Sequence, residues 1–274
     1  MTDTAEDRIV VDRLTKSFPQ EGRRGERLEV LAGVSFSVRS GEFVTVIGPS
    51  GCGKSTVFNM LAGLESPDSG GIRFDASDEP GTGTHCAYMP QKDLLFPWRS
   101  VLDNTVLGLQ VQGVPKAEAR RRARALFPAF GLAGFEDARP EQLSGGMRQR
   151  AALLRTVVQE RELLLLDEPF GALDSLTRTE MQSWLQDVWQ RYRWTVLMIT
   201  HDIREAVYLS DRVVVLSARP ATVRHELHVD LPRPRELSLI TTPEFVAMEE
   251  ELLEILHEES RRALAQQQSL EPGR

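Results

Sequence analysis

The chain has 274 residues, 41% hydrophobic and 27% charged, long enough for about two domains and for burying about three quarters of its unfolded surface, which excludes a disulfide-held miniprotein and wholesale disorder. Thirty-three basic against forty acidic residues leave a net charge of −7, so no surface that coats nucleic acid, and no nucleic-acid partner, is expected. Nothing approaches about 18 consecutive apolar residues, and the acidic start at residues 1–7 has no apolar core behind it, so the chain is expected neither to span a membrane nor to enter a secretory route by itself.

In chain order, residues 8–12 and 34–38 read as strands, the second in strict alternation, with a turn-rich polar loop at 19–26 between them. This predicts an antiparallel opening. Residues 42–47 are apolar and β-branched and run straight into Gly48-Pro49-Ser50-Gly51-Cys52-Gly53-Lys54-Ser55-Thr56. After that loop Val57, Met60, Leu61 and Leu64 change to helical spacing, which predicts a helix closing near Gly63. From about residue 93 to 158 helix formers dominate, with one helix expected over 115–130; its run Arg120-Arg121-Arg122-Ala123-Arg124 reads as a solvated helix face. Residues 162–167 and 194–200 are apolar strands flanking a helical pattern at 175–192, a strand-helix-strand unit of the parallel kind. A short strand at 213–216 follows, then Pro232-Arg233-Pro234-Arg235 as a linker. The last helix should be amphipathic, with Phe245, Met248, Leu252, Ile255 and Leu256 on its apolar face and a frayed tail from Gln266. The cysteines, Cys52 and Cys86, have no partner at metal-ligand spacing, so zinc is not expected and a reducing cytoplasm is the simplest home.

The glycine-rich loop fits G-x-x-x-x-G-K-[ST] between a strand and a helix. Such glycines let consecutive backbone N–H groups turn inward around a phosphate chain, and the helix N-terminus adds partial positive charge. Lys54 supplies a point charge for the β- and γ-phosphates and Ser55 a hydroxyl for Mg²⁺. Cys52 within the loop reads as a small space-filler rather than a nucleophile. The strand Leu163-Leu164-Leu165-Leu166-Asp167-Glu168 delivers two carboxylates at its end, and side-chain alternation sends them opposite ways. Asp167 is placed to hold Mg²⁺ through its shell and Glu168 to polarise an attacking water. A Ser-Gly-Gly turn in Leu143-Ser144-Gly145-Gly146-Met147-Arg148-Gln149-Arg150 opens another helix, a second anion site.

These three motifs in this order resemble the ATP-binding subunit of an ABC transporter over essentially residues 8–220: 48–56 is similar to Walker A, 163–168 to Walker B and 143–149 to the signature motif. The resemblance implies an α/β chain with a P-loop NTPase (RecA-like) core, an antiparallel β subdomain and an inserted α-helical subdomain. It implies an ATPase domain over 8–231 with the insert at about 93–158, and a C-terminal linker, helix and tail over 232–274. It further implies a head-to-tail dimer, of two copies or of paralogues, in which Ser144, Gly145 and Gly146 complete the partner's ATP site. Gln91 resembles the Q-loop glutamine that senses Mg²⁺ and the γ-phosphate, Asp174 lies in a D-loop-like Ala-Leu-Asp, and His201 resembles the switch histidine. Phe18 sits where the family keeps an aromatic that stacks on adenine, Phe standing where Tyr is commoner; simple core packing is the other reading of its ring.

The segment after Gln91 carries an apolar, rigid Phe96-Pro97-Trp98, either a partner surface or a plug inside the helical insert. In the family this region receives the permease, which implies a docking site near Gln91–Trp98. The Pro-Trp-x-Ser-Val-x-Asp-Asn form is similar to nitrate/sulfonate/taurine-type importers, a subgroup that also takes pyrimidine precursors. It implies a separate membrane permease, a solute-binding protein, ATP and Mg²⁺, and a peripheral place on the cytoplasmic face of the cell membrane. An ABC exporter, or a soluble ABC ATPase acting outside transport, is the alternative.

Overall fold

The computed structural model describes residues 7–20, 26–74, 85–161 and 163–270; most of the polar loop expected at 19–26, Glu162, and residues 1–6 of the acidic start lie outside the described residues. Strands β1 (Asp7–Pro19) and β2 (Arg27–Arg39) pair antiparallel, and β4 (Ser69–Phe74) joins the other edge of β1. Both opening strands are longer than the alternation suggests. The register slips between Val11 and Leu14 and again before Thr15, and Arg13 takes a left-handed φ of 47°. Such bulges break the period of two, so only the regular portions read as strand. The glycine-rich β4 escaped a periodicity reading altogether. Its Gly70 has φ +85°, and a Cβ there would stand 2.3 Å from the Arg13 carbonyl, so β4 fits against the bulge only because that residue has no side chain.

The second sheet has the order β5-β6-β7-β3-β8-β9, built from β3 (Phe43–Ile47), β5 (Cys86–Met89), β6 (Leu163–Asp167), β7 (Thr195–Ile199), β8 (Arg212–Leu216) and β9 (Val223–His228). The first five are parallel, and β9 closes one edge antiparallel to β8. β3, β6, β7 and β8 are buried along their whole length, as strands covered on both faces must be. Alternation then divides two cores. Phe43, Ile47, Leu164 and Leu166 face the helical side, while Val44, Val46, Leu163 and Leu165 face the antiparallel sheet and α1 (Lys54–Leu61).

On the helical side lie α2 (Val101–Thr105), α3 (Leu107–Val111), α4 (Lys116–Leu126) and α5 (Gly145–Val157). The helix expected over 115–130 stops at Leu126, and Phe127 and Phe130 turn into the core instead. Ala119 and Ala123 are its buried face, while Glu118 takes up Arg121 and Arg122 on the solvated one. The long helix α6 (Ser175–Tyr192) links β6 to β7, and α7 (Ile203–Leu209) links β7 to β8.

The segment read as a linker is fastened to the core. Arg235 is buried and donates to the carbonyls of Val207, Tyr208 and Ser210 at the end of α7, and Arg233 pairs with Asp211 at 2.8 Å. Free carbonyls at a helix C-terminus attract a guanidinium, which a composition reading of Pro-Arg-Pro-Arg does not show. The last helix, α8 (Pro243–Leu270), runs four residues beyond the point where fraying was expected. Phe245 and Leu252 are fully buried, with Met248, Ile255 and Leu256 packed beside them. No helix among the described residues is long and apolar enough to cross a membrane.

Candidate functional site

Four neighbouring parallel strands end at one level: Met89 pairs with Leu166, Asp167 with Ile199, and Val46 with Ile199. The loops that leave them carry Gln91, Glu168, His201 and Gly48, so residues far apart in the chain meet at the carboxyl edge of the sheet. The turn from β3 into α1 is possible only with glycine at two places. Gly53 has φ +115°, and a Cβ on it would lie 2.7 Å from Leu31 and 2.8 Å from Val30. Gly48 would place a Cβ 2.9 Å from the Leu216 carbonyl. The loop is therefore a bare backbone cradle at the N-terminus of an eight-residue helix, the form that receives a phosphate. Lys54 folds back over it and donates to the carbonyls of Gly48 at 2.7 Å and Pro49 at 3.0 Å. Cys52 is buried beneath, its thiol pushed up by desolvation, which suits the space-filler expected there.

Asp167 and Glu168 have different partners, but strand alternation does not decide this, because β6 ends at Asp167 and Glu168 lies beyond it. Asp167 is buried and accepts from the Tyr88 hydroxyl at 3.0 Å; burial raises its pKa, and the hydrogen bond opposes that rise. Burial, and then the Asp167 carboxylate beside it, push the Tyr88 phenol up. Glu168 turns out of the strand with φ 44°, accepts from Gln91 Nε2 at 2.8 Å, and stands 3.4 Å from His201 Nδ1. His201 is 60% exposed, so its imidazole faces open space rather than the core.

Phe18, Ser50, Gly51, Gly53, Lys54, Ser55, Thr56, Glu168 and His201 line one cleft of about 630 Å³. Phe18 is half-buried at its rim, with Lys16 Nζ 5.4 Å from the ring centroid. Two contributors went unread in the sequence. Tyr88 belongs to no motif, and its place in β5 beside β6 gives it a role on Asp167. Arg219 also lines this cleft, and no motif marks it.

Ser144, Gly145, Gly146 and Asp174 are not brought to this cleft. Ser144 caps α5, accepting from the Met147 N–H at 3.2 Å, and Asp174 caps α6, accepting from Thr177 N–H at 3.0 Å, which holds its carboxyl below the usual range. Gly146 packs so closely on α6 that a Cβ would lie 3.0 Å from Thr177. Gly145 lines a second hollow with Gln91, Lys92, Gly171 and Leu173. Among the described residues there is no group of three or more His, Cys, Asp or Glu able to hold a metal alone. The Ser55 hydroxyl, the Asp167 carboxylate and the Gln91 amide oxygen are hard donors of the kind that Mg²⁺ shares with substrate phosphates.

Beside the Gln91 turn, Asn104 is fully buried and ties the aromatic segment down: it accepts from Phe96 N–H at 2.7 Å and donates to the Phe96 and Ser100 carbonyls. The rings above stay outside. Phe96 is 40% and Trp98 68% exposed, stacked 5.1 Å apart. They are not a plug in the helical core.

Residues 31–171 match the sequence profile of the ABC transporter family. The formylaminopyrimidine import ATP-binding protein of Halalkalibacterium halodurans is 43% identical, over 85% of this chain and 92% of its own. The nitrate import ATP-binding protein of Synechocystis is 40% identical over 86% and 90%, and the taurine import ATP-binding protein of Pseudomonas aeruginosa 40% over 90% and 95%. Among solved structures, a dimeric ATP-binding cassette in a post-hydrolysis state with ADP and Pi superposes with a TM-score of 0.68 at 27% identity, covering 82% of this chain and all of that one.

Proposed function

This chain belongs to the ABC transporter family as an ATP-binding, ATP-hydrolysing subunit coupled to transport, and from that premise we propose that it powers import of a small solute through a separate membrane permease. The solute class is that of its relatives: nitrate, a sulfonate such as taurine, or a pyrimidine precursor. The observation that carries the catalytic reading is the meeting of Lys54, Glu168 and His201 around one cleft at aligned strand ends.

In this reading the loop 48–56 cradles the phosphate chain, Lys54 exchanges its two backbone carbonyls for phosphate oxygens, and Phe18 stacks on the base. Glu168 polarises the attacking water, while His201 and Gln91, both already on its carboxylate, orient it and register the γ-phosphate. Ser55, Asp167 and Gln91 would hold Mg²⁺, which neutralises phosphate charge when bound. The barrier falls through positioning and electrostatics rather than covalent chemistry.

Ser144, Gly145, Gly146 and Asp174, remote from their own chain's cleft, complete that of a second copy or a paralogue. The likeness to a dimeric cassette supports this arrangement. The exposed Phe96–Trp98 stack is the permease contact, and the chain works peripherally on the cytoplasmic face of the membrane with a solute-binding protein on the other side.

Affinity purification of the tagged chain from gently solubilised membranes tests the import reading. Near-equal recovery of a multispanning permease is the expected result. Active ATPase recovered with no membrane protein would overturn it.

A further inference from the structure

The segment between β8 and β9 is held at two points, with Arg219 between them. On one side Ala221 exchanges backbone hydrogen bonds with β2, its N–H donating to Val30 at 2.8 Å and its carbonyl accepting from Ala32 at 2.9 Å. On the other, the Ala218 N–H donates at 2.8 Å to Glu259 Oε2 of α8. Glu259 is 1% exposed, and its other oxygen takes Arg262 at 2.7 Å and Arg224 at 3.4 Å. A buried carboxylate with two guanidinium partners and a backbone donor is fully engaged, so it fixes the segment rather than merely touching it.

Arg219 itself is half-buried and, among the described residues, forms no ion pair. Its guanidinium lies 3.8 Å from where a Gly51 Cβ would be, beside the phosphate loop, and it lines the same cleft as Ser50 and Lys54. It also walls a smaller hollow of about 320 Å³ that Pro49 and Ser50 share with Ala263 and Gln266 of α8. An uncompensated cation held next to bare phosphate-loop amides calls for an anion.

We propose that Arg219 binds the nucleotide's phosphate chain, and that α8, through Glu259, positions it and so sets nucleotide affinity. The inference rests on the ATP-binding reading above and assigns the last helix a part in it. Arg219 is a binding residue; Glu259 acts through the Ala218 amide and is a positioning residue. Through Glu259 the helix acts on the site at the Ala218 amide rather than on the nucleotide itself.

The test is equilibrium binding of fluorescent ATP and GTP analogues to the full chain and to its variants. Arg219→Ala should raise Kd for both about tenfold, the scale of one charge-assisted hydrogen bond, and Arg219→Lys should restore part of the loss. Glu259→Ala should weaken binding, and the Arg219→Ala/Glu259→Ala double variant should bind no worse than Arg219→Ala alone, because both remove one interaction. Leu252→Ala, which removes a core contact about two turns of α8 before Glu259 and leaves Glu259 in place, should leave Kd unchanged. Unchanged affinity in Arg219→Ala while Lys54→Ala binds poorly would overturn the inference and leave the ATP reading standing. A loss confined to ATP would move Arg219 to the base and overturn the phosphate contact, and an additive double variant would remove Glu259 from it. Absence of binding by the unaltered chain would sink the ATP reading itself. The Arg219 arm does not depend on how well Glu259→Ala folds.

Discussion

Glu168 occupies a left-handed backbone conformation that L residues seldom adopt, and it spends that strain on reaching Gln91 and His201. Replacing it by Gln keeps the shape and removes the base. Glu168→Gln should therefore bind ATP with near-normal affinity while hydrolysis falls by at least about 100-fold, and it should accumulate as an ATP-bound dimer in size-exclusion chromatography. Near-normal turnover would contradict the assignment. Another carboxylate nearby behaves differently. Glu205 on α7 is buried, and desolvation, then repulsion from Asp202, raises its pKa from 4.5 to about 8, with Arg178 and Gln182 opposing. The folded state thus keeps a proton that the unfolded chain loses, so this group's contribution is fully present below about 4.5 and disappears as pH rises through about 8. Glu205→Gln carries no proton to lose. Urea midpoints should show it gaining stability over the natural chain between pH 5 and pH 8, and a gap independent of pH would refute the buried-acid account.

At the scale of elements, legibility followed length and regularity. The helix expected over 175–192 is α6, because eighteen residues of helical period outweigh local noise. β5 has four residues and β9 a polar half-exposed face, so neither offered enough pattern to separate from loop. The apolar face of α8 was legible, and the fully buried Leu252 makes it testable. Leu252→Ala should cost about 2–5 kcal/mol in urea unfolding, the usual result of an unrelaxed core cavity. A change well below 1 kcal/mol would mean that α8 docks without depending on this side chain.

At the scale of the whole molecule, the Phe96–Trp98 stack is an aromatic pair left exposed after the Gln91 turn, and Asn104 ties its segment down. Exposed aromatic pairs of this kind anchor interfaces. Trp98→Ala should reduce the permease recovered with the tagged chain severalfold while leaving ATP affinity unchanged. Equal recovery would place the permease contact elsewhere.

The phosphate loop, the paired carboxylates and the Ser-Gly-Gly helix start were determined by sequence alone, because each depends on residue types at fixed short spacing that chain connectivity enforces. The meeting of the first two was not. It required β7 to insert between β3 and β6, a choice made by which apolar faces bury best together. The same holds for Tyr88 on Asp167, for Arg235 at the end of α7, and for Glu259 on the Ala218 amide. Each joins residues distant in the chain or opposed across elements, and a side chain's partner across such a gap is decided only when packing brings the two surfaces together.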